Sequence, residues 1–177
     1  MKTKQPTRFT TTTLALCVAA IMLVPHSMAA DKTSMVNATD ETFIKQAAAD
    51  GKGEVKIAEL AVKKADSAAV KAFAEMIVKD HTAANDELTK LAASKGVELS
   101  AVIAPSNAST FQKLEKYSGA DFDKEFLAIM VSDHKKCVSS FETEAKDAKD
   151  GELKAWAEKM LPALKTHLEK ANELSPK

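Results

Sequence analysis

The sequence predicts an all-α fold, and three observations carry that expectation. Alanine is the commonest residue, while glycine and proline supply five each. This composition suits helices rather than a turn-rich, β-branched sandwich. Beyond residue 38 apolar side chains recur every three or four positions. The recurrence falls into four long blocks divided by capping and breaking residues, which makes a four-helix bundle. Alternating directions predict up-down-up-down order, with a short extra helix before the third long one.

The chain outside those blocks is an N-terminal leader. Lys2, Lys4 and Arg8 precede an apolar run of 11 residues, Leu14–Val24; Pro25 and Ser27-Met28-Ala29 follow. This is the pattern of a secretory signal peptide over residues 1–29, cleaved after Ala29 or, alternatively, Ala30. The run is too short for a spanning helix, which needs about 20 apolar residues. Cys17 lies inside the run after Leu16 and reads as an apolar filler, not a lipidation site. The leader predicts export to the periplasm, with outer-membrane association as an alternative and no membrane span after cleavage. Residues 30–38 are polar and read as a flexible linker to a bundle over 39–175.

Charge adds a second constraint. The chain balances 25 Lys+Arg against 25 Asp+Glu, so no basic excess points to nucleic acid. Loss of the leader removes three cations and no acid, leaving a net charge of −3. Only Cys137 then remains, so no intramolecular disulfide forms.

The first long helix opens at Thr39-Asp40-Glu41, a capping signal with acids in its first turn. Its stripe includes Ile44, Ala47, Glu54, Ala58 and Ala61. Gly51 and Gly53 weaken it by about 1 kcal/mol each, and can admit a close neighbour. Asp66-Ser67 caps the second helix, whose stripe runs Val70, Phe73, Ile77, His81, Ala84, Leu88 and Leu91; Gly96 stops it. Residues 97–107 form a loop, and Ser109–Tyr117 a short helix. The third long helix starts at Asp121, with Phe122, Phe126, Met130, His134, Cys137 and Phe141 on one face. Asp150 caps the fourth, which shows Leu153, Trp156, Met160, Leu164 and His167, with Pro162 forcing a kink.

All three histidines beyond the leader fall on core-facing stripes, one per helix, and helix one contributes Glu54. With alternating directions and 1.5 Å of rise per residue, Glu54, His81, His134 and His167 stand ~21, ~18, ~20 and ~15 Å up the bundle. Buried polar groups must find partners. This layer therefore either holds a transition metal, with imidazole and carboxylate suiting Zn, Fe, Cu or Mn, or a small polar ligand, or forms a metal-free cluster of a structural or binding protein that fixes helix register. Asp80 and Asp133, beside two of the histidines, point about 100° away and read as outer residues that steady the ligands. Glu59 is a further acid one turn from Glu54. The Glu-x-x-His pairs of di-iron bundles are absent, since Val78, Val131 and Leu164 stand at the glutamate positions. This disfavours ferritin-type iron oxidation, and with it a redox enzyme at the layer. Met130, Cys137 and Met160 would suit Cu(I), but at helical spacing they read as core fillers. No glycine-rich phosphate loop or Ser-His-Asp order is present, and a Cys137–His134 nucleophile is disfavoured by its place in the stripe. The residues name no catalytic group.

Six segments together resemble a bacterial family of unknown function, domain-of-unknown-function family 4142. They are Phe43 with Ala47-Ala48 and Gly53-Glu54; Val70-Lys71-Ala72-Phe73-Ala74; Lys79-Asp80-His81; Ser118-Gly119-Ala120-Asp121-Phe122-Asp123; Val131-Ser132-Asp133-His134; and Leu161-Pro162 followed by His167. The resemblance covers roughly Thr39–Leu174. It implies export and a ferritin-like helical bundle, matches Glu54, His81, His134 and His167 to recurrent polar positions, and supplies no activity.

Overall fold

Asn37 opens the bundle. In the computed structural model, which describes residues 34–176, its side chain accepts from the backbone N–H of Thr39 and Asp40 at 2.9 and 3.1 Å. Helix α1 therefore starts at Ala38 and runs to Lys64. Asn37 takes the capping role expected at Thr39-Asp40-Glu41 because the carboxylate of Asp40 is engaged elsewhere. Ahead of it, Met35 N–H donates to the Lys95 carbonyl at 2.9 Å and Val36 packs on the core. Residues 35–37 thus lie against the bundle, whereas a flexible linker was expected over 30–38. The signal peptide expected at 1–29 lies outside the described residues.

Ser67 caps α2 (Ala68–Ser94) as expected, and Gly96 adopts the left-handed φ of 72° that ends it. Helix α3 spans Pro105–Leu114, four residues earlier than expected from Ser109. Proline is favoured in a first helical turn because its fixed φ is already helical and its missing N–H costs nothing there. Helix α4 (Gly119–Asp147) begins two residues before Asp121. Helix α5 (Gly151–Leu174) is capped by Asp150, which accepts from Glu152 and Leu153 N–H at 3.0 Å each, and it continues through Pro162. The architecture is an all-α bundle with no strand among the described residues.

Two buried aspartates fix the helix directions. Asp40, on α1, accepts from Lys149 and Asp150 N–H at 3.1 and 2.8 Å, clamping the α4–α5 turn. Asp123, on α4, accepts from Asp66 and Ser67 N–H at 3.0 and 2.7 Å, clamping the α1–α2 turn. The start of α1 thus meets the end of α4, and the start of α4 meets the end of α1. Lys95, at the end of α2, pairs with Asp150 and Glu152 at the start of α5, at 2.7 and 2.5 Å.

The four long helices consequently run up, down, down, up. This corrects the up-down-up-down order expected for them. The reason is α3, which climbs beside α1. Its start is held by Asn107 Nδ2 donating to the Asp50 carbonyl at 3.1 Å, and its end by Lys64 Nζ donating to the Glu115 carbonyl at 2.7 Å. A ten-residue helix rises ~15 Å, enough with its loop to return the chain to the upper end before α4 begins.

The core falls into two clusters. The upper one gathers Ile57, Phe73, Ile77, Phe122, Phe126 and Met130. The lower one gathers Ile44, Leu88, Phe141, Leu153, Trp156 and Leu164. With the observed directions, Glu54, His81, His134 and His167 stand ~20–24 Å above the lower helix ends, between the two clusters. None of the described helices is long and apolar enough to cross a membrane.

Candidate metal centre

Each of the four long helices delivers one polar side chain to this layer, and all four are buried. His134 is 0%, His167 1%, Glu54 6% and His81 8% exposed. They arrive there because each occupies a core-facing position of its helix, three or four residues from an apolar neighbour such as Ile57, Ile77 or Met130.

The rings form a compact triangle. Centroids of His81 and His134 lie 5.6 Å apart, His81 and His167 5.3 Å, and His134 and His167 5.3 Å. One ligating nitrogen from each ring lies within 4.8 Å of the other two. Three nitrogens bound tetrahedrally at 2.0–2.1 Å to a common ion sit about 3.3–3.4 Å apart, so closing on a metal moves each ring inward by at most about 0.9 Å.

Two of the rings are also hydrogen-bonded to an oxygen through one nitrogen, and the third lies close to a carboxyl. His134 Nδ1 donates to the Met130 carbonyl at 3.1 Å. His167 Nε2 donates to Asp80 Oδ2 at 3.1 Å. His81 Nδ1 faces Glu54 Oε2 at 3.0 Å. A carbonyl oxygen can only accept, so the Met130 contact fixes the proton of His134 on Nδ1 and turns the Nε2 lone pair inward. The Asp80 contact likewise leaves the lone pair of His167 on Nδ1. The remaining nitrogens, His81 Nε2, His134 Nε2 and His167 Nδ1, are buried and without a partner, while the close contact of Glu54 Oε2 with His81 Nδ1 lacks hydrogen-bond geometry. Glu54 Oε2 approaches His134 Nε2 only to 4.0 Å, too far for a hydrogen bond.

Burial governs the charge state. Desolvation pushes His81 and His134 down to about 4 and lowers His167 against the opposing pull of Asp80. It pushes Glu54 up to about 7, aided by the charges of Asp133 and Asp50 and opposed by His134. At neutral pH the three imidazoles are uncharged, which is the form that ligates metal.

The structure thus brings together all four residues singled out in the sequence. Asp80 holds a histidine as an outer residue should, though it is His167 from the opposite hairpin and not its neighbour His81. Asp133 pairs with Lys136 at 3.4 Å and lines a cavity below the layer. Glu59 is exposed and takes no part. The Met130 carbonyl was not foreseen; the four-residue spacing to His134 is its one sequence signal. Cys137 is free and half-buried, and burial, with Glu54, Asp50 and Asp133 nearby, raises its thiol. A neutral thiol is a poor nucleophile.

Solved structures share this fold at low identity. A crystal structure of a DUF305 fragment from Deinococcus radiodurans superposes with a TM-score of 0.70 at 13% identity, covering 78% of this chain and 96% of that one. CopM in its Cu(II)-bound form gives a TM-score of 0.64 at 16% identity, over 76% and 93% of the two chains. Its Cu(I)-bound form gives 0.63 at 18%, over 77% and 95%. No curated protein matches the sequence. The model of the family described as Domain of unknown function (DUF4142) matches residues 25–174, so the chain belongs to that family.

Proposed function

We propose that the layer binds one transition-metal ion, with His81, His134 and His167 as nitrogen ligands and Glu54 as the oxygen ligand. One observation carries this reading: buried, partnerless ring nitrogens of His81, His134 and His167, from three different helices, meet in a single layer, with ligating nitrogens within 4.8 Å of one another and Glu54 beside them. Orphaned buried polar atoms are rare in native proteins and each costs about 1–3 kcal/mol. An ion satisfies all of them at once. Far-side oxygens on metal-binding imidazoles are the usual arrangement, because they fix the tautomer and the ring plane. Three nitrogens and a carboxylate suit Cu(II) or Zn(II) above Fe(II) and Mn(II). The copper-bound forms of CopM, which share the fold, favour copper as the first ion to test. The metal would supply Lewis acidity or charge; the chain supplies three buried, neutral imidazoles and a carboxyl. The signal pattern expected at residues 1–29 supports a periplasmic setting for this function.

The test uses protein purified without a polyhistidine tag and titrated with Cu, Zn, Fe and Mn, with bound metal measured by mass spectrometry. The expected result is one ion per chain, lost in a His81→Ala/His167→Ala double variant. Binding unchanged in that variant, or well below one ion per chain, leaves instead a metal-free layer that fixes helix register.

A further inference from the structure

Below the metal layer a cavity enters the bundle from its surface. It has a volume of about 1040 Å³ and runs from Glu54, His81 and His167 down to Phe43, Phe141 and Trp156. At its lower end two more buried polar atoms lack partners: Trp156 Nε1 and Glu144 Oε1. Their residues are 8% and 6% exposed, and both line the cavity. By helical rise they sit about 15 Å below the histidines, so the metal layer does not use them.

Aromatic rings form much of the wall here, beside polar residues such as Thr42 and Thr143. Phe43 meets Phe141 edge-on at 5.1 Å, and Phe141 meets Trp156 at 5.4 Å. An apolar cavity with a few converging polar groups is the ordinary form of a small-molecule site. The polar groups define the ligand. An indole N–H only donates, and a carboxyl oxygen that carries no proton only accepts, whether or not the other oxygen is protonated. A hydroxyl group serves both, accepting from the one and donating to the other. An ammonium group donates to the carboxylate but leaves the indole N–H unmatched. An organic anion meets Glu144 and, close by, the acidic Asp40 and Asp147.

We propose that the lower cavity binds an uncharged, largely apolar organic molecule through a hydroxyl group that accepts from Trp156 Nε1 and donates to Glu144 Oε1. This site is separate from the metal layer and does not depend on it.

Calorimetric titration of the purified protein with phenol, toluene and benzylammonium tests it. Phenol and toluene match in size and differ by the hydroxyl. Phenol binds saturably at one site, and toluene binds at least about fivefold more weakly, the worth of the hydrogen bonds. Trp156→Phe and Glu144→Met each weaken phenol about fivefold while leaving toluene unchanged. Glu144→Met covers the case in which Trp156→Phe does not fold, and the three wild-type titrations need no variant at all. The His81→Ala/His167→Ala variant retains phenol binding, which separates this site from the metal reading. No saturable phenol binding up to about 10 mM, meaning a cavity filled by water alone, overturns the proposal. So does toluene equal to phenol, benzylammonium tighter than phenol, or phenol binding unaffected by both substitutions.

Discussion

An imidazole taken out of water holds its proton poorly, so burial alone readies the three histidines as ligands; the oxygens behind them then decide where each ring points. Asp80 does this for His167 across an α2–α5 contact of 3.1 Å while itself remaining partly exposed. Asp80→Ala is therefore expected to leave folding intact and weaken metal binding about 10–100-fold, measured by competition with a chromophoric chelator. Unchanged affinity would remove Asp80 from the site. A different carboxyl gives a pH prediction. Burial, with Asp40 and Asp147 nearby, pushes Glu144 up to about 7, so the fold prefers its protonated form. The unfolded chain releases that proton near the usual carboxylate value of 4.5. Between pH 4.5 and 7 the native state holds more protons than the unfolded one, so stability from this group falls as pH rises. Glu144→Gln cannot ionise. Its stability relative to wild type should grow from pH 5 to pH 8, read as the difference in thermal midpoint at each pH. The four residues of the metal layer were legible because each is a polar break in an apolar stripe. Glu144 and Trp156 were not: Trp156 looks like core at helical spacing, and spacing cannot tell a filled stripe from one facing a cavity.

Close approach between helices is read from what a glycine leaves out. A Cβ on Gly53 would come within 2.5 Å of Cβ and Cγ of Asn107. Asn107 is 7% exposed and pinned by its bond to the Asp50 carbonyl. A Cβ on Gly51 would instead strike Oδ1 of Asn85, the tip of a half-buried side chain. Alanine in place of either glycine gains about 1 kcal/mol of helix propensity. At Gly53 the clash with a fixed neighbour outweighs it, since overpacking costs about 1–3 kcal/mol. Gly53→Ala should thus lower stability in urea unfolding, while Gly51→Ala is neutral or stabilising because Asn85 can turn away. Equal effects would show that α3 is not seated on α1 through Gly53. The sequence marked both glycines as sites of possible close approach, yet could not tell them apart. The difference lies in α3, whose start at Pro105 was read as loop, so Asn107 had no element to stand on.

The order of the helices shows why a layer can be found with two directions misassigned. His134 lies 15 residues from the start of α4 and 13 from its end, so reversing that helix barely moves it. His167 is off-centre in α5; reversing its direction lifts it from ~15 to ~24 Å and into line with Glu54. The up-down-down-up order was hidden because apolar periodicity carries no direction; Asp40 and Asp123 reveal it only by what they touch. This layout has a thermodynamic consequence. Among the described residues, the layer is the place where a single ion would tie the long helices together, and it lies between two separate apolar clusters. A metal that binds the native state and not the unfolded chain stabilises it by about 2.7 kcal/mol at a free concentration of 100 times Kd. For a domain of this size that corresponds to a rise in thermal midpoint of about 10 °C. The wild-type protein should show this rise with Cu(II) or Zn(II), and the His81→Ala/His167→Ala variant none. Hydrogen exchange read over the same titration should slow in α1, α2, α4 and α5 together, because the ion draws a ligand from each. A rise that persists in the double variant, or protection confined to one hairpin, would place the metal on surface carboxylates and leave the buried layer unliganded.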